Sequence, residues 1–247
     1  MLGRSGNPTL NEKTFERGGG QLYSGREAMT IEGTVNKMFI LLAILLGAAV
    51  VVWSMYFDGQ NVMPYLLGGA IGGLITALII SFVPRTAPYL APVYAALEGL
   101  FLGAFSARYE ALYGGITLQA ALLTMSVFVA LLVAYRTRLI QATKNFRLGV
   151  FAATAGIALM YLGSMVLGLF GITVPYLHES SPIGIVISLV IVIVAALNLV
   201  LDFDFIESGA QHGAPKHMEW YGAFGLMVTL VWLYIEIVRL LSKLRSR

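Results

Sequence analysis

The sequence predicts an all-α membrane protein, a bundle of seven transmembrane helices, and three observations carry that prediction. Of the 247 residues, 58% are hydrophobic and 12% charged, whereas soluble domains carry about a quarter charged residues. Mean hydropathy is +0.80. Seven apolar runs, each near the roughly 20 residues that cross a hydrocarbon core, follow one another with short links. Links this short leave no room for a domain boundary. The runs therefore read as one transmembrane domain, residues 34–247, behind a polar N-terminal tail, residues 1–33.

The tail is rich in glycine, with Gly18-Gly19-Gly20, and mixed in charge. No apolar stretch opens it, so it does not read as a cleaved signal peptide. It reads as a flexible segment on the membrane surface, with the first helix as an uncleaved insertion signal. That first run, residues 36–57, stops at Asp58-Gly59-Gln60-Asn61, and the second, residues 63–83, at Pro84-Arg85-Thr86. The third, residues 88–107, stops at Arg108-Tyr109-Glu110. The fourth, residues 116–135, is followed by Arg136, Arg138, Lys144 and Arg147. The fifth, residues 148–170, gives way to a link with Pro175 and Ser180-Ser181-Pro182. The sixth and seventh, residues 183–203 and 221–241, are joined across Gly209 to Pro215. The Val-rich start of the sixth resembles a buried strand, but backbone in lipid must satisfy itself, which favours helix.

Glycine pairs four apart, Gly68/Gly72, Gly69/Gly73 and Gly99/Gly103, put small residues on one helix face and let backbones approach. Packing within the monomer is the first reading of them and a dimer seam the second. Orientation follows the cations. With seven spans, Arg17, Arg26 and Lys37 share a side with Arg85, the four cations after run four, and Lys216; the other side's loops offer Arg108. The bias puts the N-terminus in the cytoplasm. Lys243, Arg245 and Arg247 at the C-terminus pull the opposite way. Either that end crosses despite the rule, or run six or seven is re-entrant.

Charges inside the runs are the informative positions, because each costs on the order of 3 kcal/mol unless it meets water or a partner. Run three holds Glu98, the end of run six holds Asn198, Asp202, Asp204 and Glu207, and run seven holds Glu236 and Arg239. Asn198 and Asp202, four apart, share a face. Asp204 is rotated about 200° from Asp202, so one faces the interior and the other a vestibule or the interface. Glu236 and Arg239 can pair with each other at i,i+3. A sharper reading pairs Asp202 with Glu236 across the last two helices. Two carboxylates close together in low dielectric share a proton, which makes a pH-sensitive latch, and when deprotonated they offer hard oxygens suited to calcium or protons. Glu98 adds a third oxygen or bonds to backbone.

Other chemistry is poorly represented. The chain has no Cys, which removes disulfides, thiolate metal sites and a Cys nucleophile. His178, His212 and His217 all fall in links, so a Ser/His pair or zinc site inside the bundle has no histidine. No enzyme activity, cofactor or nucleic-acid partner is expected; the net charge of +3 fits membrane orientation better than a polyanion.

Three stretches resemble the transmembrane Bax inhibitor motif family, also called the Bax inhibitor-1 family, and in particular its bacterial YccA-like branch. They are Glu98-Gly99-Leu100-Phe101-Leu102-Gly103 with Ser106 and Tyr109, Leu201-Asp202-Phe203-Asp204-Phe205-Ile206-Glu207, and Glu219-Trp220-Tyr221 leading to Trp232 through Leu241. The resemblance covers about residues 36–244 and leaves the tail outside it. It implies a seven-helix bundle with the C-terminal helix central, in a bacterial inner membrane. It also implies a calcium leak whose opening responds to pH through an aspartate pair on helices six and seven. Those positions fall on Asp202 and on Glu236, where glutamate replaces aspartate and is one methylene longer. Asp204 is extra, the link between the helices is longer, and a helix-two arginine of the family corresponds either to Arg85 or to none, Arg85 then being a positive-inside anchor.

Two functions follow as expectations. One is a pH-sensitive calcium or cation leak in which Asp202, Glu236, Asp204, Glu98, Asn198 and Arg239 line the pathway, with calcium as the permeant or bound ion. The other is a regulatory membrane protein that binds a membrane-anchored quality-control protease, with the polar tail as its handle.

Overall fold

A computed structural model of the chain describes residues 28–171 and 181–246. Most of the N-terminal tail and His178 lie outside these residues. Seven helices account for nearly all of what is described: α1 Ile31–Phe57, α2 Met63–Phe82, α3 Ala87–Leu112, α4 Ile116–Arg136, α5 Lys144–Leu169, α6 Pro182–Gln211 and α7 Met218–Arg245. All seven are long and apolar enough to cross a membrane. A 3-10 turn, Pro84–Thr86, joins α2 to α3 and carries the exposed Arg85.

The helices outrun the apolar runs at their polar ends. α1 begins at Ile31, where the Thr30 side chain accepts from the Gly33 N–H, and α6 continues through Asp204 and Glu207 to Gln211. Hydropathy marks the stretch that lies in hydrocarbon, and a helix keeps its hydrogen bonds after it leaves that layer. Thr143 and Ser181 cap α5 and α6 in the same way as Thr30 caps α1.

Glycines set two of the closest approaches. A Cβ on Gly69 would stand 2.5 Å from the Leu97 carbonyl oxygen, and one on Gly73 3.0 Å from Glu98 Oε1, so α2 presses its small face on α3. On α3, Gly99 and Gly103 press against the carbonyls of Leu45 and Ala49 of α1. Gly68 points into open space. These glycine faces are used inside the monomer.

Burial is uneven. α7 packs on α6, α1, α4 and α3, and 61% of its most apolar window is buried, against 6% for α5. The core runs along α7 through Tyr221, Phe224, Met227 and Leu233, with Tyr94 of α3 edge-on to Phe224 at 4.9 Å. α5 leans chiefly on α6. It is the loosest helix of those described.

Seven crossings put the start of α1 and the end of α7 on opposite faces, and contacts at the end of α7 show how its cations are accommodated. Lys243 Nζ donates to the Gly184 carbonyl at 3.1 Å and to Ser188 Oγ at 2.8 Å. Arg245 donates to the carbonyls of Tyr113 and Gly114 at 3.1 and 2.8 Å and to Gln119 Oε1 at 2.8 Å. Cations held by protein oxygens are weaker topological signals than free ones. α6 and α7, at 30 and 28 residues, are both full crossings in length.

Candidate functional site: a polar ladder between α5, α6 and α7

Arg147, Thr154 and Tyr161 stand seven residues apart on α5, a spacing of nearly two full turns that keeps them on one face. Each meets a polar residue of the last two helices. Arg147 Nη2 lies 2.6 Å from Asp204 Oδ2. Asn198 Nδ2 donates to Thr154 Oγ1 at 2.8 Å and to its own Val194 carbonyl at 2.9 Å. Tyr161 Oη donates to Glu236 Oε1 at 2.9 Å. The rungs descend through the bundle from one membrane face toward the other.

Each end of the ladder is built up further. Beside Asp204, Glu207 accepts from Arg138 at 3.0 Å, from Gln211 at 3.3 Å and from the Tyr135 hydroxyl. Deeper in, Arg239 Nη1 lies 3.2 Å from both Glu236 Oε1 and Tyr161 Oη, with its guanidinium 5.5 Å from the Tyr161 ring centre. Glu236 is 2% exposed while the Arg239 side chain is 41% exposed. The buried acid is thus neutralised by a cation that still reaches outward. Such a pairing is what makes a carboxylate tolerable at this depth.

Asp202 and Glu236, the expected latch, stand apart along the last two helices. Glu236 is engaged by Tyr161 and Arg239, and the two carboxylates sit at different depths. Asp202 lies nine residues before the end of α6 and Glu236 eighteen residues past the start of α7. In an antiparallel hairpin that offset is about 13 Å at 1.5 Å per residue. The Lys243–Ser188 contact pins the far end of the same hairpin, so the helices have not slid to close the gap. Asp202 is fully buried, at 0% exposure. No group of three or more His, Asp or Glu converges on one point among the described residues.

Glu98 sits elsewhere, on the α2–α3 contact against Gly73, and does not join the ladder. The carboxylate that sequence reasoning missed is Glu219, at 0% exposure. It accepts from the Thr30 N–H at 2.9 Å and hydroxyl at 2.8 Å, and pairs with Lys216 at 2.7 Å and with Lys37. This knot ties the start of α1 to the start of α7. An antiparallel bridge, Ala28 to Pro215, lies beside it. His217 lies next to the knot, and burial, helped by the Arg85 charge, pushes its pKa below the usual imidazole value.

Comparison with known proteins gives one match. The family model described as Bax inhibitor 1 like matches residues 7–246. No curated protein and no solved structure matches the chain.

Proposed function

The chain belongs to the Bax inhibitor 1 like family of membrane proteins, and from that premise we propose that it is a passive, pH-modulated leak for calcium or a similar cation, gated by carboxylates of the last two helices. The observation that carries the reading is the three-rung contact of α5 with Asp204, Asn198 and Glu236. Oxygen donors repeated at intervals through a bundle are what a hard cation needs in order to pass. Arg147 and Arg239 occupy those acids as tethered cations, so this arrangement is the closed one.

Opening then requires the tethers to let go. Protonating Asp204 cancels its ion pair with Arg147, and protonating Glu236 leaves the Tyr161 hydroxyl a weaker, uncharged acceptor; both weaken the hold on α5, the helix with least packing of its own. Acidification should therefore raise flux. Asp202, buried one turn from Asn198, supplies a further oxygen once the rungs part. The same reading puts the N-terminus in the cytoplasm and the protein in a bacterial inner membrane, supported by the cations Lys37, Arg85, Arg136, Arg138, Lys144 and Lys216 at one end of the bundle.

The test is calcium entry into proteoliposomes over a pH series. Wild type should pass calcium faster as pH falls. Glu236→Gln and Asp204→Asn, which imitate the protonated acids, should leak faster at neutral pH and respond less to acid. If both variants keep the wild-type flux and pH profile, the ladder is not the gate.

A further inference from the structure

A second feature of the bundle lies away from the ladder. α1 and α4 stand apart, and between them is a cavity of ≈ 750 Å³ floored by α3 and α7. Leu46 and Val50 of α1 and Met125 of α4 line it, at 59%, 65% and 46% exposure. The slot therefore opens sideways, continuous with the helix surface that faces lipid.

Its depth is limited. From Leu42 to Trp53 it follows α1 for twelve residues, about 16 Å, close to half of a hydrocarbon core of about 30 Å. Trp53 is near the C-terminal end of α1, so the slot belongs to the leaflet on the side of the α3–α4 turn. That end is also its polar end. Ser106 Oγ and Tyr234 Oη are 2.7 Å apart there, and Thr117 Oγ1 donates to the Ser106 carbonyl at 3.3 Å. At the turn itself Arg245 is fixed by three neutral oxygens. Glu110, the acid beside it, accepts from the N–H groups of Gly115 and Thr117 and feels the Arg245 charge without bonding to it.

Chemistry selects the occupant. An apolar cavity does not hold water, and walls that face a void lose their dispersion contacts. The medium at the opening is hydrocarbon, the slot is one leaflet deep, and a fixed cation stands at the headgroup level. We propose that the slot binds one phospholipid from that leaflet, with an acyl chain between α1 and α4, its ester region at the Ser106–Tyr234 hydroxyls and its phosphate facing Arg245. The volume lies within the range of small-molecule sites. This lipid site is independent of the leak.

The full-length chain purified in detergent tests it. Phosphate and lipid analysis after gel filtration should find about one phospholipid per wild-type chain and none on Ala121→Phe, which fills the slot from α4. Added dioleoyl phosphatidylglycerol should raise Tm of wild type and leave that of Ala121→Phe unchanged. Equal lipid content and equal response in both proteins would overturn the site, as would a wild type that retains none.

A milder probe covers the case in which Ala121→Phe does not fold. The chain has no cysteine, so Met125→Cys at the slot mouth and Leu159→Cys on the exposed side of α5 can each carry one bimane. With one brominated phosphatidylglycerol per chain, the label at 125 should be quenched and that at 159 should not. Equal quenching at the two positions, or none at either, contradicts the proposal.

Discussion

Glu219 shows how a single residue can be costly and still be kept. It is completely buried, yet two lysines and Thr30 converge on it. Replacing it with alanine leaves Lys37 and Lys216 facing a void. Because the Lys216 side chain is 48% exposed and can turn to water, the expected loss is about 1–3 kcal/mol, read as a fall in Tm of the purified protein. His217, beside it, makes a pH prediction. Its folded pKa is depressed by burial and then by Arg85, so the fold holds it neutral. As pH drops below the ordinary value of about 6.5, the unfolded chain takes up a proton that the folded chain refuses. Stability present above that pH is then lost on acidification, down to the folded pKa. His217→Gln should flatten this part of a Tm-against-pH curve; an unchanged slope would show that another group sets it.

At the scale of the element, the glycine faces separate packing from mere composition. Gly103 has the Ala49 carbonyl where a Cβ would go, whereas Gly68 has nothing within 4 Å. Gly103→Val should cost about 1–3 kcal/mol through forced separation of α1 and α3. Gly68→Ala should be neutral or slightly stabilising. Thermal melts of the two variants check the pair. Helices were legible in the sequence because hydrocarbon demands long apolar runs, so the number and order of crossings follow from hydropathy. The ends were less legible, since α6 runs on past its apolar run to Gln211 and α7 begins at Met218, ahead of its own. The acids of the ladder stood out as isolated charges in apolar runs. Their partners Thr154 and Tyr161 did not, because neutral residues give no such signal, although their seven-residue spacing from Arg147 marks a face. The Asp202–Glu236 pairing rested on the cost of burying each acid, which says nothing of how far each stands from the α6–α7 link.

For the whole molecule, the contrast between α7 and α5 is the organising fact. α7 is packed on several sides and carries Glu236. α5 has little apolar burial, and its rungs to the last two helices are one ion pair and two side-chain hydrogen bonds. A helix held partly through acids responds to pH more readily than one held by packing, since protonation weakens those contacts and leaves packing untouched. The seven-helix bundle thus joins a well-packed part, α1, α3 and α7, to a helix, α5, with little burial and three polar rungs. The direct measurement is calcium flux through wild-type protein and through Glu236→Gln in liposomes between about pH 5 and pH 8. The account predicts a wild-type flux that climbs as pH falls and a variant flux that is already high at neutral pH and nearly flat. No calcium flux at any pH, or identical profiles for the two proteins, would contradict it.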